Sequence, residues 1–495
     1  GPNTYTGGTT INSGTLQLGG SYVTTTSAVT SSPLGTGGIT ISAGGTLDMN
    51  GYSLGSSTQT SNSPTVTMSG TGVGSSQAIL INSSTTSATN YLPISLTKIA
   101  GTAGTLVDVI GQNAGSGTLT LSGLISDGAG TNAAGLQFGQ TGYTGTVSLN
   151  KSSNTYTGAS AINNGVLKLG YNNVFSAGTT VTVNSGGTLD LAGLSVSKSI
   201  TLNGGILTSS TGTAYLQAQV AGTTLSLTAN STLTAATGAT LYIGLGNYGV
   251  IQFAGTSYAV AIGDINNQGT VAYQGATSAT ISYGGGTNIN YGTLVVSGPI
   301  NSGTGTVTVN ANGKLDVGSN TFSNPIVLNG GLVLSSATTG TPVLSGQITL
   351  SADSTIANAN NSYMNITGAI TGTANLTLGT SGYAGLILYN SAASTYTGNT
   401  IVAYANLRPT DASLSTTALV RVDANGILSM NSTTLSKALT LNGGILQNIG
   451  AATTQSTYSG AITLSADSKV VTANGTTLSL NTSSTISGSS NLTYG

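Results

Sequence analysis

The chain has 495 residues, of which only 4% are charged, and nine Lys and Arg against ten acids leave a net charge of −1. It contains no Cys, His, Glu or Trp. That excludes disulfides and thiolate zinc sites, and any metal site would rest on Asp and carbonyl groups alone. The charge balance gives no electrostatic reason to bind nucleic acid or an anionic membrane. Low charge with 74 Gly borders on a disordered composition, but 38% apolar residues in regular alternation point to a packed fold. No uninterrupted apolar stretch is long enough to span a bilayer. The chain does not begin with Met and shows no signal peptide, so it reads as an excised segment, with Gly1-Pro2 either native or a cleavage scar.

Read from the start, the chain repeats itself. Asn3-Thr4-Tyr5-Thr6-Gly7 leads into the apolar run Ile11 to Leu18, and Gly44-Gly45-Thr46-Leu47-Asp48 follows. The stretch 52–110 has the least repeat character and is the candidate insertion. Gly142-Tyr143-Thr144-Gly145 then precedes a second opening phrase, Asn154-Thr155-Tyr156-Thr157-Gly158, and Gly186-Gly187-Thr188-Leu189-Asp190 and Leu202-Asn203-Gly204-Gly205-Ile206 come after it. A third round lacks the Tyr-Thr-Gly phrase but keeps Ile289-Asn290-Tyr291-Gly292, Asn312-Gly313-Lys314-Leu315-Asp316 and Leu328-Asn329-Gly330-Gly331. A fourth runs from Ser394-Thr395-Tyr396-Thr397-Gly398 through Asn425-Gly426-Ile427-Leu428-Ser429 to Leu441-Asn442-Gly443-Gly444. The blocks keep one order, so the units are read as 1–150, 151–285, 286–392 and 393–495, with loops or whole turns gained or lost between them. Ile486 to Gly495 parallels Ile370 to Gly379, where more repeat follows. The natural protein is therefore expected to continue past one or both ends.

Local patterns say strand throughout. Val181-Thr182-Val183, Val307-Thr308-Val309, Ile348-Thr349-Leu350 and Ile462-Thr463-Leu464 alternate with period two. The runs are short and punctuated by Asn-Gly, Gly-Gly and Ser-Gly, which suit tight corners. Unequal unit lengths disfavour a propeller, and a sandwich does not explain ordered tandem copies. The expected fold is all-β: a right-handed parallel β-helix (β-solenoid), a single elongated body whose coils each bury a few Val, Ile or Leu and stack on the next. At ~4.8 Å per coil its length is on the order of 100 Å.

The phrases at 3–19 and 154–170 resemble the autotransporter-associated β-strand repeat, also called the passenger-associated transport repeat; the copy at 394–409 departs after Asn399. The resemblance implies a β-helical passenger exported through an outer-membrane barrel, at the surface of or outside a Gram-negative type of bacterium.

Three sets of residues carry candidate chemistry. Lys314/Asp316, Arg421/Asp423 and Asp467/Lys469 place opposite charges two apart, on one strand face. A carbohydrate-cleaving groove would use such pairs, but no second carboxylate lies close in sequence to complete an acid/base pair, and a solvent-exposed ion pair is the plainer reading. Asp48, Asp190 and Asp316 form a row suited to cations or, more plainly, to closing turns; Ser429 interrupts it. Tyr5, Tyr156 and Tyr396 would either stack on sugars or staple one coil to the next. Gly284-Gly285-Gly286 reads as turn chemistry, and no Ser has a His or Lys partner arranged for a nucleophile. No catalytic, cofactor-binding or metal residue is assigned and no cofactor is expected. The function expected is a non-enzymatic extracellular stalk, fibre or sheath that self-associates end to end or laterally. Such assembly follows from the scarcity of charge and from solenoid ends without charged caps. The alternative is an adhesin that binds surface glycans or a host protein through the outer face or a loop insertion. Membrane insertion of this segment is not expected.

Overall fold

The computed structural model describes residues 3–24, 29–58, 63–75, 78–97, 107–113, 115, 117–128, 134–176, 179–217, 224–245, 252–254, 257–274, 283–297, 304–391, 394–414, 416–481 and 485–495. The chain is all-β, 54% strand, and its parallel strands make a β-solenoid of about 17 turns. It divides into two compact units, 1–255 and 256–495.

Unit one stacks short strands in parallel, with the register shifting at Leu202/Asn203 and Leu216/Gln217. Thr9–Ile11, Ile39–Ile41, Val66–Met68, Ile94–Leu96 and Ile125–Asp127 form one parallel sheet. A second, ten-stranded sheet runs from Gly14–Gln17 and Gly45–Asp48 to Thr224–Ala229 and Gln252–Ala254. The short strands at 66–68, 80–82 and 94–96, within the candidate insertion, pair with coils on either side. Among described strands, only Val23–Thr24 pairs antiparallel, with Val29–Ser31.

Unit two repeats the pattern with tighter coils. Val307 stacks on Ile326, Ile326 on Ile348 and Ile348 on Ile370. Later in the unit Val420 stacks on Leu439 and Leu439 on Ile462. Coil length is what changes along the chain. Equivalent corner residues Asn12 and Ser42 lie 30 positions apart, whereas Asn184 and Asn203 lie 19 apart. The extra residues sit between strands, where a loop changes length without disturbing the register.

Period-two alternation fixes which side chains go inside. Leu167, Leu189, Leu207 and Leu233 form one inward row in unit one, and Leu315, Val333 and Ile356 form another in unit two, all fully buried. Leu428, the fourth-round counterpart of Leu189 and Leu315, is buried as well. Each such side chain contributes roughly 1.5–3 kcal/mol relative to exposure. The rows add up because every rung places the same kind of residue over the last.

The Leu-Asn-Gly-Gly corner uses its two glycines differently. Gly330 takes φ +87°, which a side chain resists, and an added Cβ would lie 3.2 Å from the Ala311 Cβ. Gly331 has no positive φ, but an added Cβ would lie 2.5 Å from Val309 Cγ1 and 2.6 Å from the Asn310 carbonyl oxygen of the coil before. The first glycine is required by conformation and the second by contact. Gly330→Ala is therefore expected to cost about 1–3 kcal/mol and Gly331→Ala more, because backbone blocks it. Leu441→Asp, which buries an unpaired carboxylate between coils, is expected to cost at least about 3 kcal/mol. Denaturant unfolding of the three variants checks this order.

Candidate functional site

Most candidate residues lie along the coil corners, and the Asp side chains reach from one coil to the next. Asp48, Asp190 and Asp316 end inward-turning strands and are almost fully buried. The Oδ1 of each accepts the N–H two residues on: Asn50 at 2.9 Å, Ala192 at 2.8 Å and Gly318 at 3.0 Å. These recipients have φ of 47°, 49° and 54°. The same oxygen accepts an N–H of the following coil, from Ser83 at 3.0 Å, Ser210 at 2.9 Å and Ser336 at 3.1 Å. One carboxylate oxygen thus closes a left-handed turn and fixes it to its neighbour, which fills both of its lone pairs.

Of the three charge pairs, Arg421 and Asp423 form an ion pair, Nε to Oδ1 at 3.0 Å and Nη2 to Oδ2 at 3.1 Å, with the Arg421 side chain 43% exposed. At that exposure it has small energetic weight. Lys314 and Asp316 do not share a face as simple alternation expects: Lys314 is exposed, whereas the strand turns inward at Asp316. Asp467 is held by the Asn491 backbone N–H and side-chain amide. Asp353 holds Asn375 in the same way. These hydrogen bonds, the backbone one first, keep both carboxyls below the usual carboxylate range.

The tyrosine row has four members. Tyr156 shares a hydrogen bond of 2.7 Å with Ser160 and Tyr396 one of 2.5 Å with Thr400, and both rings are buried. Tyr5 pairs with Thr9 at 2.5 Å and is 46% exposed. The Tyr carbonyl then accepts a hydroxyl from the next coil: Thr36, Thr179 or Thr416. A fourth copy stands at the end of the second repeat unit, just ahead of the third. Tyr283 pairs with Thr287 at 2.6 Å across Gly284-Gly285-Gly286. The sequence signal is therefore Tyr-x-Gly-x-Thr/Ser, not Tyr-Thr-Gly, and looking for a three-residue phrase missed it. A different pair, Tyr215 and Tyr242, stacks on the outer face with ring centroids 5.1 Å apart. Rings stacked along the coil direction turn their faces toward each other.

Two further rows escaped sequence reasoning. Side-chain amides form ladders at one corner. In unit one the rungs are Asn12–Ser42 and Asn163–Asn184–Asn203–Thr228. In unit two they are Asn290–Asn310–Asn329 and Asp423–Asn442–Ser465. Asp423 can start a ladder because its neighbour Asn442 donates to it, at 2.8 Å. Beside the three longer ladders a buried serine, Ser231, Ser354 or Ser468, accepts the N–H of Gly204, Gly330 or Gly443 and donates to a carbonyl two residues back. The matching phrases Ile348 to Ser354 and Ile462 to Ser468 were the signal for it.

In unit two a shallow depression of about 300 Å³ is bordered by Gln268, Asn312, Lys314, Leu332, Thr355 and Thr380. Among the described residues Lys314 is the single titratable side chain on its wall. Among the described residues no group of three or more potential metal ligands occurs, and no helix is long and apolar enough to cross a membrane.

These corners define a class: a repeat solenoid whose polar residues bond coil to coil. A family model described as the passenger-associated-transport-repeat matches residues 1–18 and 143–169. The matched stretches hold Tyr5 and Tyr156 with the strands that follow them. The chain thus carries passenger-associated-transport repeats, and repeat and fold together support an extracellular, passenger-like protein. No curated protein and no solved structure matches the chain.

The absence of His and the buried phenols set the pH response. Burial pushes the Tyr156 and Tyr283 hydroxyls up to about 12 and Tyr389 and Tyr458 higher still. Unfolded tyrosines ionise from ~10 upward, so the unfolded chain loses protons that the folded one keeps. The stability these groups provide is whole below pH ~10 and is lost as pH rises toward the folded values. For Asp353 and Asp467 the lowered folded values mean stability that is present above the ordinary carboxylate range and lost as pH falls through it. Thermal unfolding followed by circular dichroism is expected to be flat across neutral pH, with the Tm falling above pH ~10 and below pH ~4.

Proposed function

We propose that this protein is a non-enzymatic extracellular structural element, a stiff solenoid whose copies associate through their side faces into a fibre or sheath. The observation that carries this reading is the chemistry of the outward rows. Thr10, Thr40, Thr67, Ser95 and Ser126 stand over one another in unit one, and Thr308, Val327, Thr349 and Thr371 in unit two. Small β-branched and hydroxylated side chains on aligned strands make a flat face with no charge to repel a second copy. The repeat's link to secreted passengers supports a location at or outside the cell surface.

Nothing in this reading asks for catalysis. The carboxylates that a hydrolase would need are engaged at corners, with Asp48, Asp190 and Asp316 each holding two backbone N–H groups. The adhesin alternative draws on three turns with exposed tips, Gln140–Tyr143, Asp264–Asn267 and Thr380–Tyr383. Ile265, on the second of them, is 67% exposed.

Light scattering and negative-stain electron microscopy of the purified chain test the proposal. Lateral assembly is expected, with little dependence on salt because few charges take part. Thr40→Lys with Thr67→Lys should weaken it by placing like charges on one face. A chain that stays monomeric at high concentration and binds defined glycans on an array, with binding lost in Ile265→Asp, would overturn the structural reading in favour of the adhesin.

A further inference from the structure

We infer that Asn203, Asn329 and Asn442 are latent deamidation sites, and that Ser231, Ser354 and Ser468 hold them shut. Each asparagine is followed by glycine. That pair reacts readily because no side chain hinders the glycine nitrogen. The nitrogen attacks the asparagine Cγ, ammonia leaves, and water opens the resulting succinimide at either carbonyl to give aspartate or isoaspartate. Asparagine is accordingly among the thermolabile residues.

Burial does not protect these three. Asn203 and Asn329 are exposed, and Asn442 is half-buried. What the structure supplies is restraint on both reacting groups. The attacking nitrogen is tied to the next coil: Gly204 N–H donates to Ser231 Oγ at 3.0 Å, Gly330 to Ser354 at 2.9 Å and Gly443 to Ser468 at 3.0 Å. The leaving amide is tied to the coil before: Asn203 donates to Asn184, Asn329 to Asn310 and Asn442 to Asp423. Each serine is nearly inaccessible, and its own hydroxyl hydrogen is committed to the carbonyl of Ala229, Ala352 or Ala466. The acceptor lone pair therefore stays aimed at the glycine. Ring closure must break the Gly–Ser bond and pull the side chain out of its ladder.

The consequence of failure is structural. Aspartate at position 329 would set a carboxylate against the Asn310 Oδ1 that it formerly donated to, and isoaspartate would add a backbone carbon at a corner where the register to the next coil already shifts. In a protein outside the cell such a lesion accumulates with age. These three asparagine-glycine corners each carry a buried serine on the glycine N–H.

Incubation of the full folded chain in mildly alkaline buffer, followed by peptide mapping that separates aspartate from isoaspartate, tests the inference. The wild type should keep Asn203, Asn329 and Asn442 intact while the urea-unfolded chain loses all three. Ser354→Ala should speed deamidation at Asn329 by roughly tenfold, the ratio that corresponds to one hydrogen bond of about 1.4 kcal/mol. Asn203 and Asn442 in the same molecules should not change, which separates loss of the guard from loss of the fold. Hydrogen exchange supplies an independent readout: the Gly204, Gly330 and Gly443 amides should exchange slowly in the wild type. Deamidation of the folded wild type at these sites at the unfolded rate, an unchanged rate at Asn329 in Ser354→Ala, or fast exchange at the three glycines would overturn it.

Discussion

Backbone hydrogen bonding between parallel strands one coil apart is the interaction on which everything else depends. A strand three or four residues long cannot hold itself, and buried peptide groups that fail to pair cost as much as the packing gains. Stacking the same strand again and again satisfies those groups on both sides. It also fixes the distance between equivalent residues at ~4.8 Å. Once that spacing is imposed, any side chain long enough to cross it bonds to its own counterpart, so identical residues become rows. The inward Leu, Ile and Val rows, the outward Thr rows and the Asn ladders are three results of one constraint.

The corners are where the constraint is hardest to meet, because the chain turns and leaves N–H groups without strand partners. The chain meets it with short polar side chains. Asp316 takes two such groups, Ser354 takes the N–H of Gly330, and Tyr396 joins its hydroxyl to Thr400 and its carbonyl to Thr416. A conserved-looking polar residue in a repeat invites a functional reading. Here the hydrogen bonds give it a structural one. The chain has few charged residues because neutral amides and hydroxyls both give and accept within one row, whereas a carboxylate only accepts. Asp423 fits a ladder at its first rung, and Arg421 lies beside it.

The solenoid and its inward faces were legible in the sequence because period-two alternation and recurring Gly corners are local signals. Leu189, Leu315 and Leu428 followed directly from them. The corner chemistry was only half legible. That Asp190 closes a turn could be read from its place after a strand, but its bond to Ser210 could not, since that depends on coil length. Tyr283 was hidden because three glycines replaced the familiar phrase around it. The Asn ladders and the buried serines were hidden for a different reason: each bond joins residues some twenty positions apart, and only the register decides which ones meet.

The register is therefore the claim to test most directly, and a chain without cysteine permits it. Paired cysteines at Thr40 and Thr67 in unit one, and at Thr349 and Thr371 in unit two, occupy outward positions assigned to adjacent rungs. The ~4.8 Å between stacked strands lies inside the ~4.4–6.8 Å that a disulfide spans. Pairs shifted by two residues, Thr40 with Ser69 and Thr349 with Ala369, exceed that reach. Mild oxidation of the folded chain, read by mass spectrometry, should close the two in-register disulfides rapidly and leave the shifted pairs as thiols. Efficient closure of the shifted pairs, or none in the aligned ones, would contradict the stacked-coil account.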